Sequence, residues 1–570
     1  MGVNAATFSS GGQQSQHYLP GGYSRLDFIK GTGGLVSASN VVIFGDCRGG
    51  KPNTIHWFGS PTEAVDTLRS GALLDAVRHA FAVGGNLVPQ KIGAWRVNPG
   101  TQATRQLEAS SNPVIDVTAW DYGLHTNQLK AKLEDGTSSG KKWTVKFQNN
   151  ADEVHDNIEK ESFSIQYVGS GSAVTMDITL TKLTTTVDAS GDLDIAFASF
   201  PTIEDLVNYI NDQTDYTATV ITGTPFDKTT ELDTVTSQDI KSSAYTVHSD
   251  LQALIDVMNS SPWIDTAIFH SGAASRIVPD NDVDWVYFSG AIDGDYTSSE
   301  WTTSLGLAEM EDIQFIGTST ADSAVHNAIK THCANMNSVT GKAERQFILG
   351  TATGETIEQT ITRAKNLASE YGMLAYPGFK HYDYDNPSVI KTWAGVYYAA
   401  KLLGAQAALA INEPHTAKTV DVLDWEKTLT PTEAETLIKN GVCPGIKTKD
   451  GRFVTGRTIT TYQGADLARN EFSMMREALF VSRDLRTEIE RSFVGKAMSN
   501  TLLSKVDAIV YGKLSAYNDL GLFNGTPPYW GYKKTIIGDV IKIDYDCYLT
   551  PPANFMFLTS HMHVFASIAA

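Results

Sequence analysis

The sequence predicts a multidomain protein of mixed class (α+β / α/β). An α/β core carries an inserted β-sandwich-like module, and each end forms an arm. Three observations point there. The chain has 570 residues, and single hydrophobic cores stop growing beyond roughly 250–300 residues. Short apolar runs alternate with capped helical segments on both sides of residues 113–245, the pattern of an α/β layer. Residues 113–245 themselves switch to period-two alternation broken by turns, which marks a sandwich or barrel. Hydrophobic residues make up 42% and charged residues 19%. That is enough apolar surface to exclude a disordered chain, a collagen or a coiled coil.

Taken in order, residues 1–22 are aperiodic and rich in Ser, Gly and Gln, which reads as an arm. The run NVVIFG at 40–45 suits a buried strand. Ser60, Pro61 and Glu63 predict a helix start, with the serine as N-cap, the proline in the first turn and the glutamate closing a capping box. Ala64, Leu68, Ala72 and Leu73 give that helix an apolar face, a second helix follows through 74–81, and 91–97 reads as a strand. In the insertion, WTVKF (143–147), FSIQY (163–167) and VTMDITL (174–180) alternate, separated by turns such as Asp135-Gly136, and 201–210 looks helical. Beyond it, strands are expected at 285–288, 313–316 and 346–349, and helices at 323–333, 356–371 and 388–410. A second capping box, Thr430 with Glu433, opens the C-terminal region, and a long helix is expected over 465–492. Its apolar side carries Phe472, Met475, Leu479 and Ile489, and its other side Arg469, Arg476, Arg483, Arg486 and Arg491. Residues 540–544 and 555–565 read as late strands that invite pairing outside their own domain. The expected division is an arm at 1–22, an α/β domain from 23–112 and 246–429, the insertion at 113–245, a C-terminal domain at 430–535, and closing strands and arm at 536–570.

Charge narrows the function. The net charge of −19 argues against nonspecific nucleic-acid binding and against docking on an anionic membrane. No run approaches the roughly 18–20 apolar residues of a membrane helix. The polar start lacks a basic segment and an apolar core, so synthesis in the cytosol as a soluble chain is expected. Residues 113–245 hold 9 Lys and no Arg against 15 Asp and 6 Glu, whereas residues 430–570 hold 9 Lys and 7 Arg against 8 Asp and 6 Glu. The acidic insertion is expected to face solvent and the C-terminal region a partner.

No catalytic constellation emerges. Gly45, Cys47 and Gly49 have the spacing of a thiol nucleophile elbow, but Gly50 to Asn53 break the helix such an elbow requires. Asp280, Asp282 and Asp284 resemble the start of a calcium loop, yet Trp285 replaces the turn glycine and Ala291 the bidentate glutamate. His561 and His563 share a strand face without a third ligand. Gly341-Lys342 and Gly495-Lys496 lack the rest of a phosphate loop, and Gly31 to Gly34 lacks dinucleotide spacing. Cys47, Cys333, Cys443 and Cys547 lie too far apart in sequence for a CxxC site and read as free thiols. No cofactor or metal is expected.

Four stretches together resemble the contractile tail sheath proteins of myovirus-type bacteriophages. They are GGLVSASNVVIFGD (33–46) followed by FGSPTEAVDTLRSGAL (58–73), the Arg96-Val97 strand, FSGAIDG (288–294) with 307–316, and 451–496 with Gly538-Asp539 and Pro552 to Asn554. One departure is Ala291, where the family has a second glycine. The resemblance implies a structural subunit, not an enzyme, that polymerises as stacked hexameric rings around a tail tube. Its terminal arms would add strands to neighbouring subunits. Contraction would release a kinetically trapped state and drive the tube through the host envelope. Implied partners are further copies of the chain, the tail tube protein, and the baseplate and tail terminator proteins, in a phage virion tail. The five arginines are then candidate tube contacts, the alternative being pairing within the helix to Glu477, Asp484 or Glu488. Two other readings remain from the residues: a cytosolic α/β hydrolase using Cys47, and a receptor binder acting through the insertion.

Overall fold

The computed structural model describes residues 39–562, together with the backbone of an N-terminal hairpin, Ala6–Ser10 paired antiparallel with Gln13–His17. The rest of the expected N-terminal arm, Gly31 to Gly34 and His563 lie outside the described residues.

The core is an eight-stranded sheet in the order Phe453–Thr455, Cys443–Lys447, Gly372–Tyr376, Gln346–Gly350, Phe315–Thr318, Val41–Gly45, Ile92–Arg96 and Ile55–Phe58. The six central strands run parallel and the two edges antiparallel. Val41–Gly45, Ile92–Arg96, Gln346–Gly350 and Gly372–Tyr376 are buried at every position, because helices cover both faces. One face packs Pro61–Leu68, Ala72–Phe81 and Gly395–Ala408, and the other Ser298–Leu307, Ser323–Met336, Ile357–Leu367 and Pro431–Lys439. The protein is thus a mixed α/β multidomain fold.

Local chemistry explains the helix starts. Thr430 Oγ1 accepts the Glu433 N–H at 3.3 Å, and Glu433 returns the bond to the Thr430 N–H at 2.9 Å. At the earlier box Ser60 caps Glu63, but Glu63 reaches back to the Gly59 N–H at 2.7 Å instead of to Ser60. The helix expected over 388–410 forms only as Gly395–Ala408. Its first part is the strand Ile390–Trp393, which pairs antiparallel with Phe379–Tyr382.

The β-rich insertion is larger than residues 113–245, and it is double. An outer module has a three-stranded sheet (Ile264–Phe269, Asn112–Tyr122, Gln102–Ala109) and a four-stranded one (Glu153–Ile158, Lys141–Phe147, Leu129–Asp135, Val286–Tyr287), with the helix Asp250–Ser260. Its core runs from Ala103 to Ala291 and skips residues 161–248. Those skipped residues form an inner module with two sheets, the helix Ile203–Asn211 and a separate core around Phe163, Met176 and Leu206. Inner and outer modules meet where the Ser249 N–H donates to Lys160 O at 2.9 Å and the Ser162 and Ser249 hydroxyls lie 2.6 Å apart.

The outer module is fixed to the α/β core by Arg96, which is fully buried. Its Nη1 donates to the carbonyls of Gly50 and Tyr122, and its Nη2 to that of Asp293, all at 2.9 Å. Ala291, the departure from the family pattern, is buried, and its backbone exchanges two 3.0 Å bonds with the Asn127 amide. The left-handed conformations fall on Gly290 and Gly294 instead. At Gly294 (φ +73°) a Cβ would lie 2.6 Å from the Pro99 carbonyl oxygen.

The C-terminal boundary also moves. Pro431–Lys439 and Cys443–Lys447 belong to the α/β core, because Cys443–Lys447 pairs in parallel with Gly372–Tyr376. The C-terminal module is instead Phe472–Phe493, Asn500–Asp519 and the hairpin Tyr529–Ile537/Val540–Cys547, packed around Phe480, Val510, Leu514 and Tyr517.

Candidate assembly surface

Among the described residues the C-terminal hairpin is a sheet of two strands only, so its outer edges pair with no other described strand. Tyr529, Tyr532, Ile543 and Tyr545 turn one face onto the two helices, while Trp530, Ile536, Ile537 and Val540 stay exposed. Chain following the hairpin runs back along the body. The Thr550 N–H is shared between Leu522 O at 3.1 Å and Glu477 Oε2 at 3.2 Å, and Asn554 Nδ2 donates to Glu471 Oε1 at 2.8 Å. Phe555 lies beneath the Arg457 guanidinium, 5.5 Å from ring centre to Cζ, and beyond it the chain is almost fully exposed. Residues 555–562 form no strand, contrary to the alternation at 555–565, because they have no partner strand. Phe555 is 72% exposed, Met556 95%, Phe557 94%, Leu558 88% and Met562 91%. Burying such side chains is worth roughly 1.5–3 kcal/mol each.

The segment expected as one helix over 465–492 breaks at Glu471, whose extended backbone separates Leu467–Asn470 from Phe472–Phe493. The five arginines therefore do not share one open face. Arg476 is buried and donates to the carbonyls of Gln406, Leu409 and Ala410 at the C-terminus of Gly395–Ala408, with Phe315 beneath its guanidinium. Burial lowers its pKa to about 10. That is a helix C-cap made by a cation. Arg483 pairs with Asp312, Arg486 with Glu344, and Glu490 one turn on with Lys342, so this face is laced to the α/β core. Arg469 and Arg491 stay about half exposed, beside Glu370 and Asp466, and Glu488, respectively. Asp484, buried, receives Lys513 at 2.8 Å and the Tyr517 hydroxyl at 2.7 Å, tying the two long helices together. Spacing alone did not distinguish Arg476 from its neighbours. Its one signal was position: it follows Met475 directly, on the apolar side.

The remaining candidate sites resolve into structure. Cys47 is buried, its thiol donates to Gly49 O at 3.1 Å, and burial pushes its pKa up to about 12, so a thiolate is disfavoured. The next helix begins only at Pro61. Asp282 receives Arg105 at 2.6 Å and the Leu133 N–H, and Asp280 the Ser110 N–H, so these carboxylates are spent on turns and an ion pair. Lys342 belongs to the lacing above, and Gly495 is in the link between the two long helices. His561 is exposed. Among the described residues no group of three His, Cys, Asp or Glu could hold a metal ion, and no helix is long and apolar enough to cross a membrane.

Comparison with known proteins agrees with this architecture. Residues 294–461 match the family described as phage tail sheath protein central domain. The tail sheath protein of Bacillus phage SP01 is 26% identical over 98% of each chain, and that of Staphylococcus phage Twort 26% identical over 85% of this chain and 87% of its own. Among solved structures, the sheath tail protein of Desulfitobacterium hafniense superposes with a TM-score of 0.51 at 13% identity, covering 93% of this chain and 100% of its own. The Listeria innocua sheath tail protein gives 0.52 at 12%, over 86% and 87%. Residues 294–461 thus match the central domain of phage tail sheath proteins, and the chain is similar to the tail sheath proteins of bacteriophages along nearly its whole length.

Proposed function

We propose that this chain is the sheath subunit of a phage tail, polymerising as stacked six-membered rings around the tail tube. Contraction of that polymer drives the tube through the host envelope. The observation that carries the reading is the C-terminal arm: an exposed, largely apolar run with no strand partner among the described residues, following a hairpin whose two outer edges pair with no other described strand. Strand addition between copies satisfies both at once. Its partners are other copies of itself, the tube protein, and the baseplate and terminator proteins at the two ends. The subunit is made in the host cytosol, works in the virion tail, and needs no cofactor or catalytic residue. Energy is held in interfaces, as a trapped state.

Tube contact falls to the exposed side of the C-terminal module and the turn before it, where the half-exposed Arg469 and Arg491 exchange their pairs with Glu370, Asp466 and Glu488 for tube carboxylates, while Arg476, Arg483 and Arg486 set the helix on the core. The two β modules form the outer decoration. The hydrolase reading loses its nucleophile with the buried Cys47 thiol. Negative-stain imaging of the purified chain tests the proposal. Tubes with regular cross-striations are expected, and single particles at every concentration would overturn it.

A further inference from the structure

Two Asn-Gly steps occur in the sequence, and the fold treats them oppositely. Asn440-Gly441 closes the helix Pro431–Lys439. There the Gly441 N–H donates to Ile438 O at 3.1 Å, Asn440 Nδ2 donates to Thr436 O at 2.8 Å, and Gly441 is buried. Asn524-Gly525 lies in the bend between the helix Asn500–Asp519 and the strand Tyr529–Ile537. Both residues are exposed, and among the described residues neither the Asn524 side chain nor the Gly525 N–H makes a hydrogen bond. The glycine is demanded by the fold: its φ is +148°, and a Cβ there would lie 2.7 Å from Tyr548 Cδ2. No contact demands the asparagine. With no side chain on Gly525 to shield it, the Gly525 nitrogen is open to the side-chain amide of the residue before it.

We propose that Asn524 is a self-modifying site, whose conversion to aspartate and isoaspartate loosens the clasp that holds the root of the C-terminal arm. The Gly525 nitrogen gives up its proton to solvent and bonds to Asn524 Cγ. The bond from Cγ to Nδ2 breaks, Nδ2 leaves as ammonia with a proton from water, and a five-membered imide remains. Water then adds to either imide carbonyl and reopens the ring. One opening gives aspartate. The other gives isoaspartate, whose main chain runs through Cβ and is longer by one carbon. Overall one water is consumed and one ammonia released, and nothing is oxidised or reduced. Both reacting groups belong to adjacent residues, and that proximity stands in for a catalyst. A longer main chain matters here because residues 521–528 grip the chain that follows the hairpin. The Asn524 N–H donates to Tyr548 O at 2.9 Å, the Tyr548 N–H to Pro528 O at 3.1 Å, and Thr550 Oγ1 to Gly521 O at 2.8 Å. An added carbon between Phe523 and Gly525 puts the bonds on its two sides out of step. At Asn440 the same chemistry must first open the Gly441 bond and the helix end. For the sheath reading, on which only this consequence rests, aged subunits present a misdirected arm and polymerise poorly.

Peptide mapping by mass spectrometry of the full-length chain, stored at neutral and mildly alkaline pH, tests the site separately from any tube formation. Replacement of NH2 by OH is expected at Asn524 at least about tenfold faster than at Asn440, where local opening must come first. The rate should rise by up to about tenfold per pH unit, because the attacking nitrogen must lose a proton. Part of the product should accept a methyl group from an isoaspartate methyltransferase. Converted chains should exchange the amide hydrogens of Tyr548 and Thr550 at least about tenfold faster than fresh ones. Asn524→Gln, whose ring closure is six-membered and slow, should keep its amide and its slow exchange on storage, and Asn524→Ser serves if that variant does not fold. Conversion at Asn524 no faster than at Asn440, or unchanged exchange at Tyr548 and Thr550 in converted chains, would overturn the proposal. Failure of fresh chains to polymerise would count against the sheath reading alone.

Discussion

Arg476 is the residue at which the helical pattern and the fold part company. On a helical wheel it belongs with a row of arginines, yet it is buried and closes the end of Gly395–Ala408 with three carbonyl bonds. Arg476→Ala would strand those carbonyls and open a cavity, so a loss of about 3 kcal/mol is expected by denaturant unfolding. Arg491→Ala removes one exposed pair with Glu488 and should stay within about 0.5 kcal/mol. Equal losses for the two would mean that Arg476 is not the cap described. The reason this was not legible is physical. Sequence periodicity reports which side of a helix is apolar, but a cation is admitted to that side when another helix ends there, and the meeting of two helices is tertiary information. Capping was legible because it is local: the Thr430–Glu433 box forms as its residues predict.

Among the elements, the sequence marked the β-rich insertion by its alternation, yet not its division in two. Period-two strands look alike whichever core they serve, and only the pairing of Asn112–Tyr122 with Ile264–Phe269 assigns the flanking segments to an outer module. Residues 160 and 249 are joined by a backbone hydrogen bond. Replacing 161–248 by a short glycine linker should therefore leave the outer module and the α/β core folded, because each retains its own hydrophobic cluster. Calorimetry should lose one transition and keep the rest. An aggregated, unfolded product would show that the inner module is not independent. The exposed apolar arm, by contrast, was legible in kind and misassigned in form. Its alternation predicts a strand, but residues 555–562 form none and pair with no described strand.

For the whole molecule, buried histidines set the acid limit. His326 and His332 accept hydrogen bonds from Arg363 and Arg345, and His415 contacts Thr455. Burial lowers each pKa to about 4, with nearby Arg363, Arg345 and Lys418 respectively adding to the effect. A base with a lowered folded pKa stabilises the fold above its unfolded pKa near 6.5, and that stability is lost as pH falls toward 4. Each histidine costs about 1.4 kcal/mol per pH unit across that window. The α/β core should therefore unfold steeply between about pH 6 and 4, read as a falling denaturant midpoint, and a flat midpoint there would refute the assignment.

The central claim is that the C-terminal arm of one copy completes the sheet of another. Sedimentation velocity of the full-length chain beside a chain ending at Asn554, at equal concentration, tests it most directly. Residues 550–554, which contact Glu477 and Glu471, remain in the shorter chain and only the exposed run is removed. The account predicts fast-sedimenting polymer for the first and a single-subunit boundary for the second, with matching thermal unfolding by circular dichroism. Equal polymerisation of the two chains would contradict it.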